Sequence, residues 1–556
     1  MLTADQITAL GDKAERITEP IVEFLIEDIA RRVSEAGQLT STASYQVWRL
    51  QNLGLSQDQV KKEIQKRLGV SLREVERLMT QAAEVGYNFD LSRLPHADAV
   101  PFADNETVQQ IVSAAVQMAQ DDLSNMVQTL GFVTQNGRAE PLTQAYQQAC
   151  DFAFQKVAMG AQDYNSAIRE ATRELASKGI RAIDYESGRS TTIEAAVRRN
   201  VMGALGTMQA EISQQNHDDL GCDGWEISAH GASAPDHEPI QGKQYTDAKY
   251  NALNRSLIRR IGTLNCGHAA FPIILGVNEP QYSAAELEQF RQANEKGVDY
   301  EGKHYTMYEA TQRQRKLERA IRNRKRRILI DQTTGDKERL AIDQTRLVIL
   351  NDEYARFTKA AKLRSQRERA NVPGFGQKQA TEAKAEAKKA ESRHSEWLKS
   401  IGAEKTEFKS LAFYEKAKYN GSPDYKLLHQ YAADVESGWV SPLSGFENYR
   451  TLYNRIQTEV VGKVAADGTL IAGQVPHFMQ RVIGTMVDPE KLKRDLKVIR
   501  RSGVSVDSIV ETVFHPLEIG DVQVRKSGKR SVKLIGENCA VTINPDTGML
   551  IQTNPL

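Results

Sequence analysis

The 556-residue sequence contains only four cysteines, and no two of them form a C-x-x-C pair. This scarcity predicts a chain without a disulfide framework, made in a reducing compartment. No run of 18 apolar residues occurs, and no basic stretch leads into an apolar core at the start, so we expect neither a membrane span nor a secretory signal peptide. Charge of one sign is not in excess either, because 73 Lys and Arg face 72 Asp and Glu. The whole-chain charge therefore indicates no partner.

Two common catalytic loops are also missing. The sequence has no G-x-x-x-x-G-K-[ST] loop and no G-x-S-x-G turn. An ATP-driven motor and a serine hydrolase of the elbow type are therefore excluded as first interpretations.

The length and the changes of texture along the chain predict a multidomain, mainly α fold. A chain this long exceeds a single hydrophobic core, and about three or four domains are expected. We divide it into a helical region at 1–215, a small loop-rich α+β module with His and Cys at 216–300, long basic helices at 301–372, a linker at 373–395, a helical intermediate region at 396–474, and an α+β domain at 475–556.

Apolar periodicity supports the helical assignments. Ile21, Leu25 and Ile29 recur at helical spacing and predict one buried stripe. The charged stretch 305–369 has a break at 333–336, which predicts two long surface helices or a hairpin of them. In the last 80 or so residues we expect helices from Pro489 to Arg501 and around 505–514, followed by a four-stranded antiparallel meander. Its strands are predicted at 522–524, 531–535, 540–543 and 549–553, separated by turn residues.

A group of histidines and cysteines lies in the loop-rich module. Thiolate and imidazole are the ligands that zinc prefers, and four of the five residues would close a tetrahedral structural site. Alternatively, the histidines hydrogen-bond loop backbone and Cys266 is a small buried apolar residue. A catalytic metal centre is a further interpretation, with Glu226, Asp236 or Glu238 as the nearby carboxylate. The five candidate ligands are Cys222, His230, His237, Cys266 and His268.

A basic run from Arg313 to Arg327 holds nine Lys or Arg residues against one acid. On a helix such a run covers more than one face, and it would neutralise phosphates of packaged DNA. The other interpretation is a solvated face of a charged hairpin. The candidate nucleic-acid contacts are Arg315, Arg319, Arg322 and Arg326.

Several separated motifs give the sequence a family resemblance. The segment 228–237, Ser-Ala-His-Gly-Ala-Ser-Ala-Pro-Asp-His, and the segment Asn265-Cys266-Gly267-His268 resemble hallmarks of the phage minor capsid protein 2 family. Upstream 184–189 with 196–199, and downstream 314–319, fit the same family, and the match runs in order over roughly the first 370 residues. The family hallmark usually has Arg after Gly-Ala, whereas this chain has Ser233, so a contact made by that Arg is in doubt.

The resemblance implies a low-copy structural protein of the phage head, associated with portal and capsid proteins. We accordingly expect the chain in the virion, and in the host cytoplasm during assembly. No enzymatic activity follows from the resemblance.

The last 80 residues resemble a second group, the small phage nuclease domains of the barnase, EndoU, colicin and RelE-like type. Such domains are toxin-like effectors that cleave RNA without a metal, which needs a base, an acid and cations for the phosphate. The candidate catalytic residues are His477, Arg481, His515, Arg530 and Thr553, with Arg525 and Lys529 as further phosphate contacts.

Two functions remain open on the sequence alone. One is a virion structural protein carrying an RNase-type effector. The other is a purely structural protein whose C-terminal domain binds a capsid or portal partner.

Overall fold

The computed structural model describes residues 4–39, 41–49, 57–94, 100–133, 139–158, 180–183, 190–263, 266–372, 374–486, 500–524 and 528–556. The chain forms two compact units, Met1–Glu386 and Ala387–Leu556. Buried apolar clusters lie within each unit, and helices predominate in the chain. The mainly α, multidomain prediction is confirmed. The boundary between the units falls inside the stretch 373–395 that we predicted as a linker.

The first unit begins with a helical part. Its helices are α1 (Ala4–Arg16), α2 (Glu19–Gly37), α3 (Thr42–Arg49), α4 (Gln57–Arg93), α5 (Glu106–Gln128), α6 (Leu142–Ala158) and α7 (Ile193–Asp219), with a 3₁₀ turn at Phe102–Asp104. An antiparallel sheet in the order β2-β1-β3-β4 consists of β1 (Leu130–Val133), β2 (Ala139–Pro141), β3 (Arg181–Ile183) and β4 (Ser190–Thr192). Ile21, Leu25 and Ile29 are fully buried, as their helical spacing predicted.

The central module is a three-stranded antiparallel sheet in the order β6-β5-β7. Its elements are β5 (Gly224–Ile227), β6 (Gln244–Thr246), helix α8 (Asp247–Ser256) and β7 (Ala270–Ile273). Ile227, Ile261 and Cys266 are the buried members of a small apolar cluster in this module. Because this apolar cluster is small, the long loops between the strands are held in place mainly by polar contacts.

A long helical hairpin follows the central module. Helix α9 (Ala284–Lys296) and the hairpin strands β8 (Val298–Tyr300) and β9 (Lys303–Tyr305) lead into α10 (Met307–Thr334) and α11 (Lys337–Ala360), and a 3₁₀ turn follows at Arg367–Ala370. Gly335 ends α10 with φ 70°, in the left-handed region that favours glycine, so the predicted break is confirmed. The predicted hairpin is confirmed as well, because α10 and α11 pack against each other. Ile321 and Ile328 of α10 are buried in one cluster with Leu347 and Tyr354 of α11.

The second unit starts with helices and ends with a sheet. Its helices are α12 (Gln377–Ser400, which begins in the first unit), α13 (Leu411–Asn420), α14 (Pro423–Glu436), α15 (Phe446–Glu459), α16 (Pro476–Ile483) and α17 (Val506–Phe514), with 3₁₀ turns at Glu407–Lys409 and Pro442–Ser444. The predicted linker is thus a regular helix over most of its length, as expected for an Ala-, Lys- and Glu-rich stretch.

The sheet of the second unit contains the predicted meander and two further strands. Strands β14 (Gln523–Val524), β15 (Arg530–Ile535), β16 (Cys539–Asn544) and β17 (Met549–Pro555) pair antiparallel in succession. Strand β10 (Gly473–Gln474) adds to β17 in parallel, and β13 (Glu518–Ile519) adds to β15, giving the order β10-β17-β16-β15-β13. A separate ribbon pairs β11 (Thr485–Met486) with β12 (Arg500–Arg501).

Some predictions fall outside the described residues. These are the segment 184–189, Asn265, Arg525, and most of the helix predicted from Pro489. Arg500 and Arg501, predicted as the end of that helix, form strand β12 instead, because they pair with β11. Within the described part of the chain, no helix combines the length and the apolar character needed to cross a lipid bilayer.

Candidate functional site

The loop after β5 and the segment before β7 bring three of the predicted ligands together. The backbone N–H of Ser228 donates to the carbonyl of Ala269 at 2.8 Å, and the Ser228 hydroxyl accepts from the Ala269 N–H at 2.9 Å. These bonds continue the β5–β7 pairing past the ends of the strands and hold the loop against residues 266–268. His237, Cys266 and His268, all buried, consequently meet in one group whose ligand atoms lie within 4.8 Å of one another.

The nitrogen atoms that face the sulfur are the Nδ1 atoms of both histidines. Cys266 Sγ lies 3.2 Å from His237 Nδ1 and 3.5 Å from His268 Nδ1. The backbone N–H of His268 also donates to this sulfur at 3.4 Å. Burial, together with the neighbouring His230 and His237, lowers the pKa of His268 to about 2. His268 is therefore neutral, which is the form that binds a metal.

The other two predicted ligands lie outside this group of three. His230 is adjacent, with its ring centroid 4.4 Å from that of His268 and its Nδ1 2.8 Å from the carbonyl of Gly231. Cys222 follows the end of α7, where its N–H donates to the carbonyl of His217. Burial, followed by the charges of Asp223 and Asp90, raises the pKa of its thiol to about 11. The five-residue set predicted from the sequence is thus reduced to three, with His230 beside them.

A cavity of about 650 Å³ opens next to this group within the first unit. His237, Cys266 and His268 form part of its wall, and positive charge predominates in the rest of the lining. The lining contains eight arginines, Arg198, Arg199, Arg259, Arg315, Arg319, Arg322, Arg364 and Arg369, and three carboxylates, those of Asp12, Glu15 and Glu318. The arrangement suits an anion.

Three of the four arginines predicted as nucleic-acid contacts line this cavity. Arg322 pairs with Glu15 and Arg319 is exposed. Arg315 is partly buried, and among the described residues it forms no hydrogen bond or ion pair. Burial, followed by the charges of Arg369 and Arg198, lowers the pKa of Arg315. The fourth, Arg326, lines a smaller cavity beside α2.

The sequence did not identify the other arginines of the cavity as site residues. They come from α7, from the segment before Cys266 and from the segment after α11, so no single stretch contains them. Only the pair Arg198-Arg199 stood out, as part of a family motif. A compact cavity assembled from distant segments leaves no periodic pattern in a sequence.

In the second unit, α16 places His477 at the start of a hydrogen-bonded chain. His477 Nδ1 lies 2.8 Å from Gln480 Oε1, and Gln480 Nε2 donates to Asp434 Oδ1 at 2.6 Å. The Asp434 carboxylate can only accept hydrogen bonds, so the atom of Gln480 that faces it must be the amide nitrogen. The amide oxygen of Gln480 therefore faces His477 and accepts a hydrogen bond from His477 Nδ1–H. His477 Nε2 then carries a lone pair, and Arg481 Nε–H donates to it at 3.3 Å.

A second arginine, Arg501, lies close to Arg481. Arg501 donates to the Asn554 side chain at 2.6 Å, on the last strand, against which α16 packs. Burial, and then the charge of Arg501, lowers the pKa of Arg481. Arg481 therefore contacts the imidazole nitrogen that carries the lone pair, and Arg501 adds a second positive charge beside Arg481. His477 and Arg481 were predicted from the sequence, whereas Arg501, Gln480 and Asp434 were not.

The remaining predicted catalytic residues are elsewhere in the second unit. Thr553 is fully buried and its hydroxyl donates to the carbonyl of Ala540 at 3.1 Å. Arg530 pairs with Asp546 at a turn, at 2.8 Å, and Lys529 is exposed beside it. His515 leads into β13, three strand spacings or about 14 Å from β17 across the sheet. The structure therefore does not bring His515 to His477.

Comparison with known proteins identifies a family for the first part of the chain. A family model described as phage minor capsid protein 2 matches residues 2–359, which is more than half of the chain. The matched region ends within α11, so the second unit lies outside it. No curated protein and no solved structure matches the chain significantly.

Proposed function

The chain belongs to the phage minor capsid protein 2 family and is a virion-associated structural protein of the phage head, and we propose that its second unit is an RNA-cleaving effector. The observation that carries this proposal is the orientation of His477. Its Nε2 lone pair faces Arg481, and the chain through Gln480 to Asp434 holds the other nitrogen protonated.

Such a site would cleave RNA through the ribose 2′-hydroxyl. His477 Nε2 takes the hydroxyl proton, and the resulting oxygen attacks the adjacent phosphorus to form a 2′,3′-cyclic phosphate. The bond from phosphorus to the 5′-oxygen of the next nucleotide breaks, and that oxygen takes a proton from water. Arg481 and Arg501 stabilise the negative charge that develops on the phosphate. This reaction needs no metal, and it needs the 2′-hydroxyl, so DNA is not a substrate. Thr553, Arg530 and His515 take no part in it.

RNA cleavage by residues 377–556 tests the proposal, because this fragment contains α12 and the core of the second unit. We expect cleavage of a labelled single-stranded RNA in the presence of EDTA, and none of the matched DNA. His477→Ala and Arg481→Ala should each lower the rate by 100-fold or more. Arg455→Ala, which removes a partly exposed arginine of the same unit that pairs with Glu459 and Asp507, is the matched control. Intact RNA after incubation with the folded fragment would eliminate this function.

The variant His515→Ala tests whether His477 acts alone or together with His515. Because His515 leads into β13, three strands away from β17 in the sheet, this variant should retain cleavage. A loss as large as that of His477→Ala would mean that both histidines act on one phosphate, contrary to the geometry proposed here.

For the first unit we propose contacts with portal and capsid proteins and with packaged DNA. Family membership supports the protein contacts. The exposed Arg319 at the arginine-lined cavity supports contact with DNA phosphates. Assembly would take place in the host cytoplasm. Mass spectrometry of purified particles should find peptides of both units, and cross-linking should join the first unit to portal or capsid chains.

A second candidate function, partner binding by the second unit, is favoured by an exposed apolar edge. The side chains of Leu517, Ile519, Val522 and Val524 on and beside β13 and β14 are 77%, 47%, 46% and 66% exposed. Short edge strands with exposed apolar side chains can pair with another chain. On this alternative, Ile519→Lys with Val524→Lys would reduce incorporation into particles, whereas His477→Ala would not.

A further inference from the structure

The spacing of His237, Cys266 and His268 is that of ligands around one tetrahedral ion. Zinc bonds of about 2.0–2.1 Å to nitrogen and about 2.3 Å to sulfur place a nitrogen and a sulfur ligand roughly 3.5 Å apart. The two nitrogen–sulfur distances in the group are 3.2 and 3.5 Å. An ion would therefore fit with little movement of the side chains.

Hydrogen bonds on the far side of each ring orient the lone pairs toward the sulfur. His237 Nε2 lies 2.8 Å from the carbonyl of Arg259, which can only accept. His268 Nε2 lies 2.9 Å from Gln241 Oε1, and that atom also accepts the backbone N–H of His230 at 3.1 Å, so it is the amide oxygen. Both rings are consequently protonated at Nε2 and present bare Nδ1 atoms. Histidine ligands of metals are commonly held in this way.

Without an ion this arrangement is poorly satisfied. Two nitrogen lone pairs face one thiol, and the thiol has a single proton to donate. A divalent cation that displaces this proton would satisfy both nitrogens and the sulfur at once. Thiolate with imidazole favours zinc over magnesium or calcium, which prefer oxygen ligands.

We propose that His237, Cys266 and His268 bind one zinc ion whose fourth position faces the arginine-lined cavity and takes a phosphate oxygen. All three ligands line this cavity. His230 is not one of the residues whose ligand atoms lie within 4.8 Å of one another, so three protein ligands leave one position open. Arg315, which has no hydrogen-bond or ion-pair partner among the described residues, is the arginine we assign to the phosphate. This site lies in the first unit and does not depend on RNA cleavage by the second.

Metal content of the full chain tests the ion. We expect about one zinc per chain after dialysis against buffer free of zinc, and near zero for Cys266→Ser and His268→Ala. Cys222→Ser is the matched control, because it removes a buried cysteine of the same module that lies outside the group. A wild-type content near zero, or an equal loss in Cys222→Ser, would overturn the proposal.

Cobalt substitution of the wild-type chain supplies a measurement that does not depend on how the variants fold. A thiolate-to-cobalt charge-transfer band together with intense tetrahedral bands is expected. Weak octahedral bands without charge transfer would mean that Cys266 is not a ligand, and the assignment would fail.

Phosphate binding is tested on the same cobalt-loaded chain. Inorganic phosphate, added at constant ionic strength against chloride, should shift the tetrahedral bands, and Arg315→Gln should weaken its apparent affinity roughly tenfold or more. Arg326→Gln, on the same helix but outside the cavity, should have no effect. Bands that do not respond to phosphate would refute the open position. The same titration with a single-stranded DNA oligonucleotide in place of inorganic phosphate then shows which phosphate the site binds. A band shift with the oligonucleotide indicates the phosphates of a nucleic-acid backbone, and a shift with inorganic phosphate alone indicates a small anion.

Discussion

Asp90 of α4 is a buried carboxylate, and replacing it with asparagine should stabilise the first unit at neutral pH. Its side chain accepts from the Ser213 hydroxyl at 2.6 Å and from the Asn216 amide at 3.3 Å, both on α7. Burial raises the pKa of Asp90 to about 6 despite these bonds. The charged form is therefore disfavoured in the folded state.

The magnitude follows from the pKa difference. An unfolded aspartate has a pKa near 3.9, so a shift of about two units corresponds to about 3 kcal/mol. Because the folded pKa is raised, stability is fully present below pH 4 and is lost as the pH rises through 6. Asp90→Asn avoids this loss, but the weaker contact with Asn216 costs about 1 kcal/mol. A net gain of about 2 kcal/mol is expected at pH 7.5, and none at pH 4.

Hydrogen exchange of α4 and α7 peptides in the full chain measures this effect. At pH 7.5 we expect these peptides to exchange about 30-fold more slowly in Asp90→Asn than in wild type at the same pH. This factor corresponds to a stabilisation of about 2 kcal/mol. Asp219→Asn, an exposed carboxylate of the same helix α7, is the control and should change little. Equal protection of Asp90→Asn and wild type at both pH values would mean that the charge of Asp90 does not destabilise the folded state.

Three further predictions concern single side chains. Phe478→Ala, which removes a fully buried ring of α16, should cost about 3–5 kcal/mol and increase proteolysis of the second unit without changing that of the first. Ser283→Ala removes the capping box with Glu286 at the start of α9 and should destabilise this helix by about 1 kcal/mol. The loss would be measured as faster amide hydrogen exchange in the first turn of α9. Thr553→Val, which removes only the bond to Ala540, should lower the melting temperature of the second unit but retain RNA cleavage; loss of cleavage in a folded variant would make the hydroxyl part of the site.

The local features of the fold were predictable because they depend on neighbours in the chain. The stripe through Ile21, Leu25 and Ile29, the end of α10 at Gly335 and the meander from β14 to β17 each follow from periodicity or turn chemistry within a few residues. Strand β10 was not predictable. Its two residues pair with β17, some 75 residues away, and two residues carry no periodicity.

The candidate sites show the same division. The available residue types could be read from the sequence alone. They are imidazoles and thiols in the central module, arginines on α10, and His477 with Arg481 one helical turn apart. Tertiary structure alone decided that His237, Cys266 and His268 meet while Cys222 does not, and that Asp434, 43 residues before His477, orients it through Gln480. The physical reason is that ligand geometry and burial arise from contacts between distant segments, and a one-dimensional spacing does not contain those distances.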